Sequence, residues 1–186
     1  MAQYNDRYGT CIDSASAVQL ADGTRTAIGR LAKGDIVLAS GGATAVVICV
    51  VRQPCAGGKA NLVQLPGGGR VTPFHPICME GSWLFPMEIS EPQEFECEAV
   101  CSIVLRGAPA LLVGSEEAPS EELVACAALA HGIEEGAARH AYFGTDKVLE
   151  DLRGFPGYDS GLVEVLAGDV VRDVETGLVC RLRPRA

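Results

Sequence analysis

Reactive side chains are few in this sequence, and two of them stand together in the stretch RVTPFHPI at 70–77: the hydroxyl of Thr72 and the imidazole of His75. The chain has only three histidines, and this one sits between Phe74 and Pro76. Pro76 lacks an N–H and biases His75 toward an extended conformation, and Pro73 does the same to Thr72. The expectation is stiff, extended backbone at the end of a strand. Taken alone, His75 reads as a half-buried strand-exit residue. A third group, the thiol of Cys11, lies just ahead of the first β run, and alone it reads as a small residue entering the core. Together a thiol and an imidazole are the minimum apparatus for acyl transfer. A thiol breaks a peptide bond only if it is activated and the amide is deformed or protonated. A cysteine thiol titrates at roughly 8.5, and an imidazole near pKa ~6.5 exchanges protons in the neutral range.

The elements that would hold these groups are strands. AVQLADGTRTAI is a hairpin signal, strand–DG–strand. GDIVLAS and ATAVVICVVRQ follow around a GG pair, then ANLVQL and RVTPF around a glycine-rich turn. ICMEGSWLF reads as a short hairpin, and CEAVCSIVLRG, PALLVGS and EELVACAALAHG continue what reads as a meander. Short strands at this spacing mean an all-β fold. Asp22 reads as a turn residue and Asp35 as a strand-start residue. Helix signals are few: GTDKVLEDLRG predicts one short helix with Thr145 as N-cap and Gly154 at its end, while HGIEEGAARHAYF is ambiguous.

Composition narrows the function classes. At 186 residues and 48% hydrophobic, one well-filled core is expected. The net charge of −9 argues against a nucleic-acid surface. No apolar run is long enough for a membrane span, and the start MAQYNDRYGT has no signal-peptide core, which together give the expectation of an intracellular, cytoplasmic location. Eight cysteines with no CxxC pair point away from a structural zinc site and toward buried thiols in a reducing compartment. No cofactor and no metal is expected. Four of the nine Tyr and Phe residues, Tyr142, Phe143, Phe155 and Tyr158, fall in the C-terminal stretch. A disordered tail would not concentrate aromatics, so this segment should pack on the β core.

The ordered set resembles a known family. Cys11 followed by VQLADGTRTAIGRLAKGDIVL, then T-x-x-H at Thr72 to His75, then VCSIVL at 100–105, is similar to the Hint domain shared by hedgehog C-terminal domains and inteins. TPFHP, GSWLFP, LAHG, HAYFGT and VRDVETGLV look especially like the Vint subgroup found beside von Willebrand factor A modules. The resemblance implies a horseshoe-like Hint fold with a small C-terminal extension. Its implied organisation is an N-terminal flank (1–10), a Hint core (11–132), and an extension (133–186) packed on the core in the same domain.

The resemblance also implies the chemistry. Cys11 would attack the carbonyl of Thr10 and convert the Thr10–Cys11 amide into a thioester, an N-to-S acyl shift. His75 would protonate the departing nitrogen, and Thr72 would orient the scissile peptide. The intein end block closes in His-Asn, whereas here His131 is followed by Gly132, which has no side chain to cyclise. Full splicing is therefore not expected. The substrate would be the chain's own N-terminal flank, the thioester being resolved by water or another external nucleophile, in a monomer. His131 reads equally as an accessory imidazole or a satisfied core residue, and His140 as structural. Ser102 stands where the family often carries an acid, which weakens any role transferred to it. Two other readings stay open: a degenerate Hint fold serving as an interaction module, and a Cys–His hydrolase acting in trans.

Overall fold

The structure is a computed structural model that describes residues 9–185. Its strands, in chain order, begin with β1 (Ile12–Asp13), β2 (Ala17–Gln19), β3 (Arg25–Ala27), β4 (Ile36–Leu38) and the long β5 (Thr44–Pro54). Next come β6 (Lys59–Gln64), β7 (Arg70–Val71), β8 (Ile77–Met79), β9 (Ser82–Leu84) and β10 (Gln93–Glu96). Then follow β11 (Ala99–Arg106), β12 (Ala110–Gly114) and β13 (Val124–Ala127), the helix α1 (Lys147–Leu152), and β14 (Leu162–Glu164), β15 (Val170–Arg172) and β16 (Val179–Leu182). The fold is all-β with one short helix, as the strand pattern requires.

The strands do not form a meander. One sheet runs β10–β6–β7–β1–β11–β5–β14, with β4 also on β5; a second runs β3–β2–β12–β13–β8–β9; β15 and β16 pair separately. The reason lies in β11 and β5. Residues 99 to 104 of β11 are buried without a break, a both-face pattern that belongs to an interior strand. β11 must therefore be flanked on both edges, and β1 and β5 supply the flanks. β14 joins β5 in parallel, returning the chain to this sheet from the C-terminal segment.

The main core joins residues of both large sheets, among them Ile12, Val47, Val71, Ile77, Ile103 and Leu111. A second cluster lays Tyr142, Val148, Leu152, Phe155 and Val163 against Cys49, Val51 and Val104 of β5 and β11. Asp151 ties it together, accepting the Tyr142 hydroxyl at 2.7 Å and the Leu182 N–H at 3.0 Å.

Two local expectations change. The N-cap position falls at Asp146, one residue past Thr145, and the Asp146 side chain makes no cap hydrogen bond; the Thr145 hydroxyl accepts the Lys147 N–H at 3.4 Å while donating back to the carbonyls of Ala141 and Tyr142 at 3.0 and 3.1 Å. Residues 72–75 form a tight turn, not continuous extended backbone: the His75 N–H donates to the Thr72 carbonyl at 3.1 Å. Pro73 then occupies the second turn position, where its fixed φ is favourable. The turn swings the imidazole back over the end of β7.

Candidate active site

β1 is two residues long, yet it fixes the geometry. Ile12 pairs with Val71 of β7 on one side and Cys101 of β11 on the other, both antiparallel. One residue back along β1 is one residue forward along each neighbour, so Cys11 falls between Thr72 and Ser102. Directly opposed residues share a face of the sheet, with Cβ atoms ~4.5–5.5 Å apart. The Thr72 N–H donates to the Cys11 carbonyl at 2.9 Å, extending the pairing past the strand ends.

The side chains then close on the Thr10–Cys11 peptide. The Thr72 hydroxyl accepts the Cys11 N–H at 2.9 Å and donates to the Gly9 carbonyl at 2.7 Å. The Ser102 hydroxyl donates to the Thr10 carbonyl at 2.7 Å and lies 3.4 Å from the Cys11 thiol. Thr72 is fully buried, and Cys11 and Ser102 are each 7% exposed. Gly9 adopts φ +67°, the left-handed region that suits glycine.

His75 is buried beside this peptide. Its Nε2 lies 2.9 Å from the Ala127 carbonyl. A carbonyl only accepts, so Nε2 carries the proton in the neutral ring and Nδ1 holds the lone pair. Nδ1 is buried without a hydrogen-bond partner. The backbone of Thr10 nevertheless pulls the imidazole's pKa upward, as an acceptor on that side would, without completing a bond of good geometry. Burial outweighs this pull and the Ala127 bond, and the pKa falls to about 4. His75 is therefore neutral at pH 7, with its Nδ1 lone pair buried and without a hydrogen-bond partner.

A pocket of about 180 Å³ opens at the same peptide, and Thr10, His75, His131, His140, Phe74 and Phe143 are among its walls. His131 thus stands at the pocket beside Thr10 and His75. Its Nδ1 accepts the Ile133 N–H at 2.9 Å, which leaves its proton on Nε2. His140 accepts the N–H groups of Tyr142 and Phe143 at Nδ1, at 3.1 and 2.9 Å, and packs on the Phe143 ring. Burial first, then His131, lowers the His140 pKa to about 4.

Behind Cys11, an apolar cluster holds Cys55, Cys97, Leu62 and Val100. Burial pushes the Cys101 thiol up to about 12, in keeping with an inert core residue beside the reactive face. Among the described residues no three His, Cys, Asp or Glu side chains group as metal ligands would, and no helix is long and apolar enough to cross a membrane.

Ser102 is the residue that sequence reasoning set aside. The signal that finds it is register: once Ile12 is placed opposite Cys101, Ser102 must oppose Cys11. Residues 1–8 of the expected flank lie outside the described residues.

Comparison with known proteins follows the same lines. A family profile, Vint, described as a Hint-domain, matches residues 10–181. Curated proteins give no match. Among solved structures, the chain is similar to a mutant of an Ssp DnaB mini-intein variant at 16% identity and TM-score 0.48, over 64% of this chain and 99% of that one. A DnaB intein from Synechocystis sp. is similar at 17% identity and TM-score 0.46, over 64% and 99% of the two chains. The gp41-1 intein is similar at 14% identity and TM-score 0.43, over 63% and 98%.

Proposed function

The chain belongs to the Vint family of Hint domains, and from that premise we propose that it is a single-turnover autoprocessing domain that acts on its own Thr10–Cys11 bond. The observation that carries this reading is the double grip on that peptide: Thr72 on its N–H and Ser102 on its C=O. Cys11 Sγ forms a bond to the Thr10 carbonyl carbon, the C–N bond breaks, and the thiol's proton ends on the Cys11 nitrogen. The flank through Thr10 is then held as a thioester, open to water or another nucleophile.

His75 works as a shuttle. A neutral ring whose proton is on Nε2 has nothing to give from Nδ1. It must first accept a proton from the tetrahedral intermediate, and then hand it to the departing nitrogen. A pKa near 4 suits the second half of that task, because the imidazolium is a stronger acid than an ordinary one. Thr72 keeps the N–H and the Gly9 carbonyl fixed, so the carbonyl carbon stays within reach of a thiol that has little room to turn. Gly132 offers no side chain for cyclisation, so release stops at the N-terminal junction.

The test is a reporter fused ahead of Tyr8. Hydroxylamine or dithiothreitol attacks a thioester and leaves an ordinary amide intact, so the wild type releases the reporter at Thr10–Cys11, and faster with either reagent. Cys11→Ala releases none. A folded wild type that never cleaves under either reagent would support the interaction-module reading in place of this one.

A further inference from the structure

We propose that Ser102 is a catalytic residue: its hydroxyl relays the Cys11 thiol proton to the Thr10 carbonyl oxygen while the sulfur attacks. This rests on the acyl-shift reading above. The geometry is a chain of two contacts, thiol to hydroxyl at 3.4 Å and hydroxyl to carbonyl oxygen at 2.7 Å. The hydroxyl is both acceptor and donor, so it can take the thiol proton as it gives its own. The balance is complete. The S–C bond forms, the S–H proton moves to Ser102 Oγ, the Ser102 proton moves to the Thr10 oxygen, and the intermediate is a neutral carbinol. His75 Nδ1 then takes the carbinol proton and delivers it to the Cys11 nitrogen as the C–N bond breaks and the carbonyl re-forms. One proton travels from sulfur to nitrogen, and Ser102 and His75 both end as they began.

The relay answers a difficulty that the pocket creates. At neutral pH only about a few per cent of an ordinary thiol is thiolate, and burial in an apolar cluster with Cys55, Cys97 and Val100 disfavours a charged sulfur further. The guanidinium of Arg70 on the adjacent β7 is engaged by the buried Asp13 carboxylate at 3.8 Å. The His75 imidazole is itself buried and neutral, influenced by the backbone of Thr10. A path that never charges the sulfur or the oxygen avoids all of these costs. It also accounts for a serine in this position: a hydroxyl can pass a proton in both directions at once, whereas an ionised carboxylate 2.7 Å from the carbonyl oxygen would repel it.

The experiment uses the reporter fusion with hydroxylamine and follows the rate from pH 6 to 8. Wild type should show a nearly flat profile, since the neutral thiol is the reactant. Ser102→Ala should slow release by roughly 10²–10⁴-fold, the usual cost of losing a positioned proton-transfer group, and its rate should climb about tenfold per pH unit because attack must then go through the thiolate. Ser102→Thr, which keeps the hydroxyl, should recover the flat profile. Thermal melts of each variant report folding separately. The relay is overturned if Ser102→Ala keeps the flat profile, whether its rate falls or not, or if Ser102→Thr folds yet behaves like the alanine variant. A wild type that releases nothing overturns the acyl shift itself, and the relay with it.

Discussion

The two ends of the processing motif are built differently. At the N-terminal junction, Cys11 is locked between β7 and β11, and hydroxyls hold both the N–H and the C=O of one peptide. At the His131–Gly132 end there is only a turn. Gly132 has φ +72°, a side chain added there would meet nothing within 4 Å, and the backbone of 130–132 is tied to Phe143 and Gly144. The His131 imidazole spends its Nδ1 on the next turn of its own backbone. On the proposed function, one end is arranged around a bond to be broken, the other around a loop to be held. Bond-breaking machinery needs partners from distant strands; the turn needs only its neighbours.

The sharpest way to break this contrast is at His75. On the proposed mechanism His75→Ala should slow reporter release by roughly 10²–10⁴-fold, the span for losing a proton-transfer group, read by gel densitometry against time. A fall of less than tenfold would remove it from the chemistry. Thr72→Ala should cost less, about 10–100-fold, because it removes two orienting hydrogen bonds of ~1 kcal/mol each. A Thr72→Ser variant that recovers the rate would tie the effect to the hydroxyl.

Acid should weaken the fold through the same histidines. His75 and His140 titrate at about 4 when folded, against an ordinary value of 6.5. As pH falls below 6.5 the unfolded chain takes up protons that the folded chain refuses. Stability from these groups is therefore present above about 6.5, drains away between 6.5 and 4, and is gone below 4. Urea midpoints measured at half-unit steps should drop most in that interval, and a flat response there would contradict the buried, neutral imidazoles. The smallest effect is expected at the other end: Gly132→Asn should change release by less than about twofold and yield no ligated product on mass spectrometry. Asparagine tolerates the left-handed region, but it gains no partner there for cyclisation and transfer.

Much of this architecture could be read in the chain before folding. Alternating apolar runs and the DG turn at Asp22–Gly23 gave the hairpin β2–β3, where Thr24 indeed bonds Asp22. Strand order could not be read, because period-two alternation says which face a residue takes and not which strand lies beside it. That gap hid Ser102. Its role depends on Ile12 facing Cys101, a pairing across some ninety residues. The turn at 72–75 was missed for a local reason: Pro73 suits both an extended stretch and the second position of a turn, and only the His75 N–H bond decides between them. The Thr145 hydroxyl accepts the Lys147 N–H at 3.4 Å, but its proton goes to the carbonyls of the turn before it, and the helix begins one residue later than the sequence pattern places it.

The position of β1 also sets a clock. Cys11 is synthesised before the serine and the strand that it needs, which lie 91 residues later. At ordinary translation rates that is roughly 5–20 s, and the non-local pairing that follows is slow to nucleate. Until β11 arrives, the Thr10–Cys11 bond is an ordinary amide in an open chain. On the proposed function, the flank ahead of the site has that interval to fold while still attached, and its release is timed by the completion of a sheet.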